Sequence, residues 1–287
     1  MGGGFYSFDR ASARSVSYKT QSREQIFSNR RIDPLMVIKG KIRESCDSDE
    51  HPNSYPIIIG LDVTGSMGQI PENLIKEAFP EIMKTIQEKG VEHAQICFLG
   101  IGDHYSDEAP IQVGQFETSD ELTEKWLKAI YIEGGGGGNN GESYHLAWYF
   151  AAYHTKIDSF EKRGIKGTLI TIGDEPCHKS ISKEVCQNLF GNGEAEVTAS
   201  QLLEDAKKKW DIYHINVKDW TSDRYESPNK WKGLIDDDHF ALSESMASKE
   251  IGDILSTIIV SSYKRNIGQG TSKIGSLFGS LNGKHEL

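Results

Sequence analysis

The sequence predicts an α/β fold, a doubly wound and mostly parallel central sheet flanked by helices. Apolar runs without polar alternation recur at 57–63, 94–102, 167–173 and 211–217, as strands read when both faces are covered. Segments with apolar residues at helical spacing separate them. Three of the strands end on an aspartate, Asp62, Asp103 and Asp174, at the carboxyl edge where open α/β sheets bind ligands.

Residues 1–54 read as a basic, partly ordered N-terminal arm, with little apolar periodicity before "IDPLMVIKGKI" at 32–42. Pro56 ends a polar connection, and the domain proper is expected over 55–262. After the first strand, Leu74, Ile75, Ala78, Phe79, Ile82, Met83 and Ile86 predict a helix over 71–89. Pro71 suits its first turn, Gly90 its end, and Pro80 a kink. "IQVGQFE" at 111–117 alternates and suits a sheet edge, and Ser119 caps a helix reaching about Ile130. The run Gly134 to Gly138 with Asn139, Asn140 and Gly141 predicts a loop, followed by an aromatic helix from Ser143 to about His154. Further helices are expected at 182–190, 198–210 and 248–262, a last strand at 239–243, and a Gly/Ser-rich flexible tail over 263–287. Trp148, Tyr149, Phe150 and Tyr153 read as core and interface residues.

Of the 287 residues, 37% are hydrophobic and 26% charged, and no apolar run approaches the roughly 20 residues of a membrane-spanning helix. The opening MGGGFYSFDR lacks a basic-then-apolar leader, and Cys46, Cys97, Cys177 and Cys186 form no C-x-x-C pair, so a reduced, cytoplasmic setting is expected. The net charge of −10 is uneven: residues 1–43 carry nine Lys/Arg against three acids. Such an arm either binds an acidic partner or nucleic acid, or lies across its own acidic body.

At the first strand end, Asp62-x-Thr64-x-Ser66 lets one carboxylate and two hydroxyls of a tight turn converge. Asp62, Asp103 and Asp174 would crowd one sheet edge, where like charges oppose ionisation unless a cation sits among them. Oxygen donors suit Mg²⁺, or Ca²⁺ or Mn²⁺, and no His/Cys set suggests zinc. Asp103 and His104, in "GDHYSD", either cap a turn or support the site or touch a partner, and Glu142 either caps its helix or reaches the site. For Cys177 and His178 the reading is loop structure.

Residues 57–68, "IIIGLDVTGSMG", resemble the first motif of the von Willebrand factor A superfamily, D-x-[S/T]-G-S, which forms a metal-ion-dependent adhesion site. The glycine run followed by Glu-Ser, and then "GDEPCH", is similar to the stand-alone microbial and alpha-kinase-associated members. The resemblance implies a Rossmann-like fold and a non-catalytic protein-binding module, with metal ligands Asp62, Thr64 and Ser66 and a later aspartate matched by Asp174. The family's loop threonine is missing here, and Asn139 or Asn140 stands in its place. The implied partner is a protein that offers an acidic residue to the ion.

"DVTGS" also resembles the aspartyl-phosphate sequence of P-type pumps and haloacid-dehalogenase enzymes, with Asp62 as a nucleophile on Mg²⁺. Against that reading, Thr64 stands where those enzymes carry a second aspartate. A nucleic-acid-binding role for the arm is a further alternative, recognisable by steep salt dependence.

Overall fold

The computed structural model describes residues 3–134, 141–218 and 230–270, Ser66 by its backbone alone. The strands are β1 (Arg43–Ser45), β2 (Tyr55–Asp62), β3 (Ala94–Ile101), β4 (Ile111–Val113), β5 (Thr155–Ile157), β6 (Gly167–Gly173), β7 (Ser180–Ile181), β8 (Val197–Thr198), β9 (Trp210–Val217) and β10 (Phe240–Ser243). The α-helices are α1 (Phe8–Tyr18), α2 (Arg23–Ile26), α3 (Gln69–Asn73), α4 (Phe79–Glu88), α5 (Asp120–Ala129), α6 (His145–Tyr153), α7 (Asp158–Arg163), α8 (Lys183–Phe190), α9 (Ala199–Lys207) and α10 (Ser248–Asn266).

The central sheet runs β10-β9-β6-β2-β3-β4, parallel throughout except for the antiparallel edge strand β4. Alternate side chains of each strand enter two separate cores. Ile57, Ile59 and Leu61 of β2 face the layer of α1, α3, α4, α5 and α10. Ile58, with Cys97, Leu99 and Leu169 of the neighbouring strands, faces α6, α8 and α9. Each buried aliphatic side chain contributes about 1.5–3 kcal/mol relative to exposure, which is why these central strands carry no polar face. The chain leaves β2 toward β3 on one side and later places β6 on the other. The β2/β6 boundary is therefore the topological switch point, where a crevice opens beyond the strand ends.

The predicted helix over 71–89 is interrupted. A 3₁₀ turn at Gly65–Gly68 leads into α3, a π-turn at Leu74–Ala78 follows, and then α4. Pro80 explains the irregularity, because it has no N–H for the Lys76 carbonyl and its ring would strike that carbonyl in an unbroken helix. The π-turn re-pairs the backbone, with Phe79 N–H donating to the Leu74 carbonyl, and Lys76 O instead receives the Ser15 hydroxyl of α1 at 2.5 Å.

That bond is one of several that dock the N-terminal segment. Arg14 reaches Asp120 at 2.6 Å and Glu124 at 2.7 Å, and Arg10 reaches Asp120 at 2.9 Å, all on α5. Ala11, Met36 and Ile38 are buried. Val113 N–H donates to the Met36 carbonyl at 2.9 Å, and the Arg43 guanidinium donates to the Val113 carbonyl at 3.0 Å. The outer side of β4 is thus covered, which removes an exposed pairing edge.

Other element bounds differ modestly from expectation. The 198–210 helix is α9, capped by Thr198 and ending at Lys207, while Trp210 opens β9. The 248–262 helix extends to Asn266, because Tyr263 packs edge-on against Tyr55 with centroids 4.8 Å apart. Among the described residues no helix is long and apolar enough to cross a membrane.

Candidate metal centre

Asp62 is the last residue of β2, and Asp174 follows β6 directly, so the two flank the switch point. Asp62 is 1% exposed. Its Oδ1 accepts the Thr64 N–H at 2.9 Å and the Thr64 hydroxyl at 2.6 Å, and its Oδ2 accepts the Tyr144 hydroxyl at 2.8 Å. The Asp-x-Thr spacing folds the turn back on its own carboxylate, an Asx-type arrangement available only to a short acceptor side chain. Because the Thr64 hydroxyl spends its proton on Asp62, its lone pairs remain able to serve a cation.

Gly173 makes room for this contact. A Cβ there would lie 1.8 Å from the Tyr144 hydroxyl oxygen and 2.8 Å from Asp62 Oδ2. Tyr144 begins the turn into α6 and is fully buried. Burial and the facing acids raise its phenol well above its ordinary value, so it stays protonated and donates.

Glu142 enters from the other side. Its N–H donates to the Pro176 carbonyl at 2.9 Å, and its own carbonyl accepts the His178 N–H at 3.1 Å, a one-residue bridge tying the connection before α6 to the loop after β6. Its carboxyl is buried, and Oε2 has no hydrogen-bond partner among the described residues. Burial, then Asp62, Asp103 and Asp107, raise the Glu142 carboxyl far above the carboxylate range. Asp62 is raised as well, by burial first and Asp174 next, against the Thr64 and Tyr144 hydrogen bonds. Among the described residues no Lys or Arg forms an ion pair with Asp62 or Glu142. Carboxylates crowded in this way, with oxygen donors alone around them, fit a hard divalent cation.

A second group adjoins the first. Asp103 and His104 lie in the turn after β3, and His178 lies in the loop after β6. Asp103 Oδ1 accepts the Tyr105 N–H at 3.1 Å and meets His178 Nε2 at 2.9 Å. The Ser143 hydroxyl oxygen accepts the His104 N–H at 2.9 Å and lies 2.7 Å from His104 Nδ1. Burial, then His178, lower the His104 imidazole to about 4. Fully buried His145 lies 5.5 Å from the His104 ring, between centroids.

Of the residues singled out from sequence, Asp62, Thr64, Glu142 and Asp174 lie buried together beyond the strand ends, and Asp103 and His104 belong to the adjoining group. Asn139 and Asn140 lie outside the described residues, as does the Ser66 side chain. Sequence reasoning missed Tyr144, which reads as one more aromatic of α6, and the pairing of His178 with Asp103 across 75 positions. The signal for Tyr144 was Gly173, a strand residue without a side chain beside a buried acid.

No family model and no curated protein matches the sequence. The chain is similar in structure to the vWF domain of the type V pili tip protein Mfa5 from Porphyromonas gingivalis, at 10% identity and TM-score 0.47 over 76% of this chain and 97% of that one. It is similar to the pilus adhesin SpaC from Lactobacillus rhamnosus GG, at 10% identity and TM-score 0.46, covering 78% of this chain but only 31% of SpaC. It is also similar to a von Willebrand factor type A protein from Catenulispora acidiphila, at 12% identity and TM-score 0.39 over 74% of this chain and 43% of that one.

Proposed function

We propose that this protein is a divalent-cation-dependent protein-binding module of the von Willebrand factor A type, acting without turnover. The observation that carries the reading is the oxygen-only donor set at the switch point: Asp62 and Thr64, with Asp174 across the β2/β6 boundary and Glu142 beside them. Ser66 and Asn139, with Asn140 as its substitute, complete the proposed ligand set from the neighbouring turn and loop. Mg²⁺ suits these donors, as do Ca²⁺ and Mn²⁺. A bound ion supplies a Lewis-acidic position for a partner's carboxylate, a charge-assisted contact that the surrounding loops make specific.

The chain's own part is positional. Tyr144 and Thr64 hold the Asp62 carboxylate in one orientation, and Gly173 lets them do so. Against Asp62 as a phosphoryl acceptor stands Thr64, in the place where aspartyl-phosphate enzymes carry a second aspartate. The binding unit is proposed as 55–262, flanked by the arm over 1–54 and the tail over 263–287. A reduced compartment and an intracellular scaffold or regulatory role are proposed with it, on cysteines whose spacing forms no C-x-x-C pair.

Calorimetry tests the reading. Mg²⁺ binds the wild type, and Asp62→Ala weakens it by more than about 100-fold, beyond what loss of an outer-shell partner costs. Equal affinity in the two proteins would overturn the assignment. Phosphate release from a generic ester, abolished by Asp62→Asn, would establish the enzyme alternative instead.

A further inference from the structure

We infer that Asp103, His104 and His178 form a second metal site, chemically distinct from the one at Asp62, for a borderline transition ion of the Zn²⁺ class. One donor atom from each of the three lies within 4.8 Å of the other two. This set mixes one carboxylate oxygen with two imidazole nitrogens. Such ligands select Zn²⁺, Co²⁺ or Ni²⁺ over Mg²⁺ and Ca²⁺, which prefer oxygen alone.

The surroundings orient the donors. The Asp103 carbonyl accepts the N–H groups of Ser106 at 3.2 Å and Asp107 at 2.8 Å, which closes the turn and fixes the directions of residues 103 and 104. Ser143 pairs with both the backbone N–H and Nδ1 of His104, leaving Nε2 as that ring's donor toward an ion. A hydrogen-bonded second nitrogen is the usual support of a metal-binding histidine. The His178 ring lies over Gly141, where a Cβ would come within 2.8 Å of both Cε1 and Nδ1. Only glycine admits the ring at that position. Tyr105 meets the same ring edge-on, with centroids 4.9 Å apart.

Of the three, His178 borders a neighbouring cavity, while Asp103 is fully buried. His178 and Tyr105 line a cavity of about 990 Å³ that also receives Lys179 and Lys232. Three protein donors leave a coordination position for water or an external ligand, as in open rather than closed zinc sites.

The inference is independent of the Asp62 reading, and one titration separates them. The full-length chain is titrated with CoCl₂ and followed by visible absorption, then challenged with ZnCl₂. The expected result is the intense absorption of a four- or five-coordinate Co²⁺ complex, displaced by Zn²⁺. His104→Gln and His178→Gln each weaken it by more than about 100-fold, and Ser143→Ala by about 10-fold. Asp62→Ala leaves it unchanged. Wild-type protein without these bands overturns the inference, as does a folded His178→Gln protein that binds Co²⁺ equally well, or loss of the bands in Asp62→Ala. Zn-edge X-ray absorption of the loaded wild type needs no variant: a shell with two imidazoles is expected, and an oxygen-only shell overturns the site.

Discussion

Asp120 and Asp62 are both buried carboxylates, 0% and 1% exposed, and their environments drive them in opposite directions. Burial disfavours the charge on Asp120, but Arg10 and Arg14 outweigh it and hold the carboxyl down to about 2. At Asp62, burial and Asp174 act together, and the hydroxyls of Thr64 and Tyr144 offset them only in part. Burial alone therefore does not decide the state of a carboxylate; the sign of the neighbouring charge does. The α1/α5 region completes its electrostatics within the chain and behaves as a folding contact. The strand-end region sets like charges against one another, a conflict that the proposed cation would relieve.

Three experiments sharpen this contrast, beginning with the largest effect. Arg14→Ala leaves Asp120 and Glu124 without their shared partner and is expected to lower stability by about 3 kcal/mol, the lower end for breaking a buried pair because Arg14 is 30% exposed. A urea melt reads it, and a change below about 0.5 kcal/mol, the scale of ordinary surface substitutions, would demote the contact to the surface class. Tyr144→Phe keeps the packing of α6 and removes one hydrogen bond from Asp62. Mg²⁺ affinity should fall about 10-fold with the melting behaviour nearly unchanged; unchanged affinity would reduce the phenol to a space filler.

The smallest effect is acid release of α1. A carboxylate whose folded pKa lies below its unfolded value, about 3.9, contributes fully above about pH 4 and loses its contribution as pH falls through about 2. Amide exchange in α1 should therefore accelerate between those limits, an effect moderated by solvent screening at the exposed Arg10. Asp120→Asn should flatten the pH response. A profile identical to wild type would mean that the ion pairs do not hold the helix.

Local features of the fold were legible. The buried strands β2, β3, β6 and β9 announce themselves as unbroken apolar runs, and Asp62-x-Thr64 is a turn whose hydrogen bonds close within three residues. Pro80 signalled an irregular helix, though the remedy, a π-turn plus a hydroxyl from α1, depends on what packs alongside. Distant pairings were not legible. Arg14 meets Glu124 across 110 positions, Tyr144 meets Asp62 across 82, and His178 meets Asp103 across 75. Such contacts leave no periodicity, because nothing in the spacing of either segment refers to the other.

The sequence by itself determined the alternation of strands and helices, the carboxylates at the strand ends and the oxygen chemistry of the first turn. Each follows from neighbours along the chain, through side-chain period and turn geometry. Tertiary structure alone decided which carboxylates are neutralised and which face one another. It also brought a histidine from one loop to an aspartate and a histidine on another, converting residues that read as turn and loop into a mixed-donor cluster. The physical reason is that charge and coordination act through space, at distances set by the sheet order and not by the order of the chain.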